Sequence, residues 1–195
     1  WLRQINIPSA WVSLDENDND PIQFLQYFIT ALQRIAPTMG TQLPGMLQGV
    51  QPVPTDTLMN LLINEIAEHA HPFLLVLDDF QLIQAQPILE MVTFLLEHMP
   101  PQMHLVLLSR TDPPIPLSRL RARNQLIDIR AYHLRFSSHE ITIFLNEVME
   151  LNVSPDDIKT LEIRTEGWIA GLQLAALSMK EAKDRHSFIQ AFAGS

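Results

Sequence analysis

Phe73-Leu74-Leu75-Val76-Leu77-Asp78-Asp79 is a run of five apolar residues closed by two carboxylates. It has the length and composition of a central parallel strand, buried on both faces and therefore without apolar/polar alternation. In open α/β sheets, ligands bind beyond the carboxyl ends of such strands. Asp78 and Asp79 thus fall at the ligand edge of the predicted sheet. The plainer reading is that the two acids cap the next helix and favour its dipole.

The elements on either side alternate. Ala10-Trp11-Val12-Ser13-Leu14 reads as a short strand, followed by a helix with Phe24, Leu25, Phe28, Ile29, Leu32 and Ile35 at three-to-four-residue spacing. Thr38 to Pro54 carries Gly and Pro without period and reads as a long loop. Leu58, Leu61, Leu62 and Ile66 predict a helix before the Asp78 strand; Ile88, Leu89, Val92, Leu95, Leu96 and Met99 predict one after it. His104-Leu105-Val106-Leu107-Leu108-Ser109-Arg110 is a second buried strand with a polar end. This order implies parallel strands near 10–14, 73–77 and 104–109, joined by right-handed helical crossovers. Leu126-Ile127-Asp128-Ile129 reads as a last edge strand.

A different texture begins at residue 137. Ser137-Ser138-His139-Glu140 is a capping box, and Ile141, Phe144, Leu145 and Val148 form one helical face. Ser154-Pro155-Asp156-Asp157 opens a further helix with N-cap, Pro at N1 and acids in the first turn. Thr165-Glu166-Gly167-Trp168 leads into the Ala- and Leu-rich stretch from Ile169 to Met179. Residues 1–136 are therefore read as an α/β core and 137–195 as a small all-α subdomain.

Composition narrows the function classes. A formal net charge of −9 argues against a nucleic-acid backbone as this segment's own partner. There is no cysteine, which removes disulfides and thiolate chemistry and permits a reducing cytoplasm, the expected location. No apolar run approaches the ~18 residues that span a bilayer. Asp15, Asn17 and Asn19 match the first half of a calcium loop, but Asp20 and Gln26 stand where Gly and Glu are required. Asn19 or Asp20 is better read as the N-cap before Pro21.

The Asp78-Asp79 element resembles the Walker B strand of P-loop NTPases. On that resemblance Asp78 holds Mg²⁺ through its water shell, and Asp79 orients or activates the attacking water. The glycine-rich loop G-x-x-x-x-G-K-[ST] that cradles phosphates is not found. Gly40-Thr41-Gln42-Leu43-Pro44-Gly45-Met46-Leu47 has Met46 and Leu47 in place of Lys and Ser/Thr, and Pro44 removes a donor. Trp1-Leu2-Arg3-Gln4 reads as the end of a helix begun upstream, so the expectation is an N-terminally truncated P-loop core. The order of Asp-Asp strand, amphipathic helix and Ser109-Arg110 strand resembles Walker B followed by sensor 1. On that reading, Arg110 faces a γ-phosphate.

An ordered set of strings extends the resemblance over nearly the whole chain. They are Trp11-Val12-Ser13-Leu14-Asp15 with Asn19-Asp20-Pro21, Leu75-Val76-Leu77-Asp78-Asp79, Leu108-Ser109-Arg110-Thr111-Asp112-Pro113-Pro114, Leu120-Arg121-Ala122-Arg123, Leu134-Arg135-Phe136, and Thr165-Glu166-Gly167-Trp168-Ile169-Ala170-Gly171-Leu172. Together they resemble MalT-like regulators, ATP-binding LuxR-type activators of the STAND class. The resemblance implies an ATP/ADP- and Mg²⁺-dependent switch, with inducer sensing and DNA binding in downstream domains and self-association on activation. It places Ile169 where many STAND proteins carry a Pro against the adenine, although packing of Trp168 between helices is the reading preferred for that turn. Arg121 and Arg123 reach either phosphate or solvent. The alternative function is a non-catalytic interaction module with a relic Walker B. A receiver domain is set aside because the lysines, Lys159, Lys180 and Lys183, all lie in the helical tail.

Overall fold

The computed structural model describes residues 4–47, 53–182 and 184–192. Of the helix end read at Trp1-Leu2-Arg3-Gln4, the first three residues lie outside them, and Gln4 is in a turn. The chain forms two compact units, divided between Leu120 and Arg121.

The first unit is built on three parallel strands, β1 (Ser9–Ser13), β2 (Phe73–Asp78) and β3 (Met103–Leu107), in spatial order β1-β2-β3. The apolar run takes the middle place because it alone is apolar at every position. Phe73, Leu75 and Leu77 are fully buried on one side of the pleat, while Leu74 and Val76 are buried on the other. Burying each such side chain contributes about 1.5–3 kcal/mol, so exposing either face of this strand would be costly. The register pairs Ser13 with Asp78 and Leu77 with Leu107, which brings the carboxyl ends of all three strands to one edge.

The helices of this unit follow the predicted periodicity. α1 (Pro21–Gln33) buries Phe24, Leu25, Phe28, Ile29 and Leu32. Its N-cap is Asp20, whose carboxylate accepts the Ile22 and Gln23 amide N–H groups at 3.0 and 2.9 Å. Inside the stretch read as loop, a short helix α2 (Leu43–Leu47) forms because Met39 and Leu43 are buried in the core. α3 (Thr55–Ala67) packs against α4 (Gln86–His98). Met59 and Ile63 join Leu58, Leu62 and Ile66 in the core, whereas Leu61, counted as a core position from sequence, is exposed.

The second unit is helical. α5 (Ser118–Ala122) spans the division along the chain, and α6 (Ala131–Leu134) is a single turn. Leu126–Ile129 is not a strand: Ile127 and Ile129 are 88% and 65% exposed. A strand exists only through ladder hydrogen bonds to a neighbour, and this segment has none among the described residues. α7 (Ser138–Thr142) starts at the expected Ser137/Glu140 capping box and runs into a π-helical turn, Ile143–Val148. That wider turn keeps Leu145 buried but leaves Val148 exposed, against the predicted face. α8 (Pro155–Thr165), α9 (Ile169–Glu181) and α10 (Arg185–Ala191) complete a core of Ile141, Leu145, Leu161, Leu172, Met179 and Ile189, among others. Among the described residues no helix is long and apolar enough to cross a membrane.

Candidate functional site

Asp78 is the last residue of β2, and Asp79 turns the chain away from the sheet in a left-handed conformation, φ 56° and ψ 37°. Few non-glycine residues adopt this region, and Asp and Asn do so most readily. The turn is enforced by the next residue, because Phe80 is fully buried and its amide donates to the Leu108 carbonyl at 3.0 Å. Leu108 in turn donates to Leu77 at 2.9 Å, continuing the β2–β3 pairing past the end of β3. Ser109 and Arg110 consequently leave β3 beside the acid pair, at the common edge predicted for them.

Each acid is held differently. The Asp78 carboxylate accepts the Asp79 amide at 2.9 Å through Oδ1; among the described residues no donor reaches its Oδ2. Oδ1 of Asp79 accepts the Gln81 side-chain amide at 2.8 Å and lies 3.8 Å from Nε of Arg110. The arginine side chain is 84% exposed, so this ion pair contributes only about 0–1 kcal/mol and leaves the guanidinium free to turn toward an incoming anion.

Gln81, which no sequence motif marks, and Asn19, whose sequence position marks only a helix cap, tie this edge together. Gln81 joins the acid loop to the β3 loop: besides its bond to Asp79, its Oε1 accepts the backbone N–H of Arg110 at 3.1 Å. Asn19 does the same from the β1 side. Its side chain donates to the Glu16 and Leu82 carbonyls at 3.1 and 2.9 Å and accepts the Gln84 and Ala85 amides at 2.7 and 2.9 Å. Asn19 is therefore a clamp on residues 82–85, and capping of α1 falls to Asp20 alone. An Asn before a helix start signals a cap in sequence, and nothing local marks these partners.

Asp78 offers one hard carboxylate oxygen at the ligand edge, the kind of ligand a water-keeping magnesium ion takes, and no group of three or more metal-capable side chains occurs among the described residues. A phosphate-cradling loop is another matter. At Gly40–Leu47 the Gly40 amide is taken by Glu65, that of Leu43 by the Gly40 carbonyl and that of Met46 by Gln42. Gly40, at φ +69°, packs against Ile29, so this loop serves the core. A groove of about 380 Å³ along α4, Pro114 and Pro116 shares no lining residue with Asp78, Asp79 or Arg110.

Ile169, the residue proposed for base contact, lies in the helical unit, partly buried against that unit's core. The turn before it is shaped by backbone contacts. Gly167 has φ +76°, and a Cβ there would meet the Phe136 carbonyl oxygen at 2.6 Å, while the Phe136 amide donates to the Gly167 carbonyl at 2.8 Å. Trp168 occupies the N-cap of α9 and is 39% exposed, so it is not the interhelical core aromatic expected from sequence. Arg121 is paired with Asp128 at 2.9 Å. The Asp128 carboxyl is held below the usual range, first by its hydrogen bond from Arg130 and then by that from Arg121.

Curated proteins match most of this chain. The HTH-type transcriptional regulator MalT of Serratia proteamaculans is 35% identical over 173 residues, 89% of this chain and 19% of that protein. The proteins of the same name from Yersinia enterocolitica and Klebsiella pneumoniae are each 34% identical over 172 residues, 88% of this chain and 19% of their own length. The chain thus spans about 19% of the length of the curated relatives it matches, and over that span it is MalT-like. No family model matches it.

Proposed function

We propose that this MalT-like chain is part of the nucleotide-gated switch of a transcriptional regulator. The observation that carries the reading is the meeting of Asp78, Asp79 and Arg110 at the carboxyl ends of two adjacent parallel strands. In a parent of the relatives' length, the rest of the protein would supply the P-loop, the inducer-sensing part and the helix-turn-helix. In this scheme Asp78 would hold a magnesium ion through the ion's water shell, and the ion would supply charge neutralisation for phosphate oxygens. Asp79 orients the attacking water and accepts its proton, and Arg110 reads the γ-phosphate. The regulator is on in the ATP state and resets on hydrolysis; nucleotide biases the two states through its differential affinity for them.

The test uses the intact parent protein. Asn adopts the left-handed conformation of residue 79 at least as readily as Asp, so Asp79→Asn changes chemistry and leaves the turn in place. It is expected to slow ATP hydrolysis by about 10²- to 10⁴-fold, the usual contribution of a positioned general base, with ATP affinity little changed and inducer-independent transcription raised. Arg110→Ala is expected to erode discrimination between ATP and ADP. Wild-type turnover and reporter output in both variants would end the switch reading and favour a plain docking module. The 195-residue chain itself should bind Mg·ATP weakly. Tight binding in calorimetry would place the nucleotide site elsewhere.

A further inference from the structure

Gln81 stands between the two charged groups of the candidate site. Its side-chain amide donates to Oδ1 of Asp79 at 2.8 Å and accepts from the backbone N–H of Arg110 at 3.1 Å. The orientation of that amide is fixed by chemistry. An ionised carboxylate only accepts and a backbone N–H only donates, so the flipped amide would oppose acceptor to acceptor and donor to donor. The residue is also held on both sides along the chain. Phe80 before it is fully buried, and the carbonyl of Leu82 after it accepts from Asn19. A side chain anchored this way has few other places to go, and its two hydrogen bonds polarise each other in one chain.

We infer that Gln81 is a positioning residue that couples the Asp79 carboxylate to the loop carrying Arg110. With the Asp79 carboxylate in place, the amide is drawn toward it and the Arg110 loop is tied to the β2 edge. With that carboxylate removed or turned away, the amide loses one anchor and the hold on the Arg110 backbone weakens. The functional part of this inference rests on the nucleotide-switch reading: the carboxylate that orients the attacking water would also set the place of the residue that reads the γ-phosphate. Asp79 and Arg110 would then act as one device, with neither needing to touch the other closely.

The coupling itself is testable without nucleotide, by amide NMR of the 195-residue chain. An Arg110→Ala background removes the guanidinium, whose 3.8 Å approach to Asp79 is a second route, and keeps the backbone N–H at position 110. In that background Asp79→Gly, which suits the left-handed backbone, should move the position-110 amide proton upfield as its hydrogen bond lengthens. With Gln81→Met also present, Asp79→Gly should leave that proton where it was. Gln81→Asn keeps the amide but shortens its reach by one methylene, and should abolish the response as Gln81→Met does. A position-110 response that survives Gln81→Met, or one absent while Gln81 is present, overturns the inference.

In the intact parent, Gln81→Met should lower kcat for ATP hydrolysis by about tenfold or more and, like Arg110→Ala, erode discrimination between ATP and ADP, with ADP affinity within about twofold of the wild type. A purely structural residue would instead lower stability and weaken ATP and ADP binding alike. The two readings fail separately. If the NMR coupling is lost while Asp79→Asn still blocks turnover, the inference falls and the switch stands. If the coupling is found while Asp79→Asn turns over ATP normally, the switch reading falls.

Discussion

Gly167→Ala is the sharpest test of what the Glu166-Gly167-Trp168-Ile169 turn is for. At φ +76° an alanine is placed in the left-handed region, at a cost of about 1–2 kcal/mol. Its Cβ would lie 2.6 Å from the Phe136 carbonyl oxygen and 3.1 Å from the Phe136 nitrogen, both backbone atoms. Relieving that clash separates two segments joined by the 2.8 Å hydrogen bond from Phe136 to Gly167, itself a contribution of about 0.5–1.5 kcal/mol. The combined destabilisation is about 2–4 kcal/mol. Hydrogen exchange of the Phe136 amide reads it locally. At 1.4 kcal/mol per decade, protection should fall by about 30- to 1,000-fold. Gly45→Ala is the control, because its Cβ meets nothing within 4 Å and its φ is not in the left-handed range. It sits in α2, where alanine is preferred over glycine by up to about 1 kcal/mol. Unchanged Phe136 protection in Gly167→Ala would refute the structural account of this turn and reopen it as a ligand contact.

Asn19→Ala leaves the Leu82 carbonyl and the Gln84 and Ala85 amides without their side-chain partner, and should destabilise the first unit by about 1–3 kcal/mol in urea denaturation. Asn19→Asp keeps both acceptor bonds and should lose visibly less; equal losses would refute the clamp. Asp20→Ala removes the α1 cap and should cost about 1 kcal/mol in the same assay, with a change under about 0.3 kcal/mol arguing against the cap. Asp128 has its folded-state pKa below the ordinary 3.8, so its pairing with Arg130 and Arg121 favours the ordered segment above about 3.8. That contribution is lost as pH falls through the lower folded value. Side-chain carboxyl ¹³C titration should give a midpoint under 3.8, and a midpoint at or above it would contradict the pairing.

The features legible in the sequence are those whose signal repeats along the chain. A strand buried on both faces must be apolar at every position, and an amphipathic helix must repeat its apolar residues every three or four. Thus β2, β3, α1, α3 and α4 could be placed, and with them the edge at which Asp78, Asp79 and Arg110 meet. Local caps were equally readable, because Ser137 with Glu140 and Ser154 with Pro155 act within one helical turn. The errors came where burial depends on a neighbour. Leu126–Ile129 has strand composition without a strand beside it, Val148 is displaced by a π-helical turn, and Trp168 ends on the surface at a helix cap. Only the tertiary structure decided how the candidate site is tied together. Gln81 meets Arg110 across 29 residues, and Asn19 meets Leu82, Gln84 and Ala85 across 63 to 66. A polar side chain satisfied by a distant backbone leaves no periodic trace in sequence. Its partners exist only once parallel pairing has brought three strand ends to one edge.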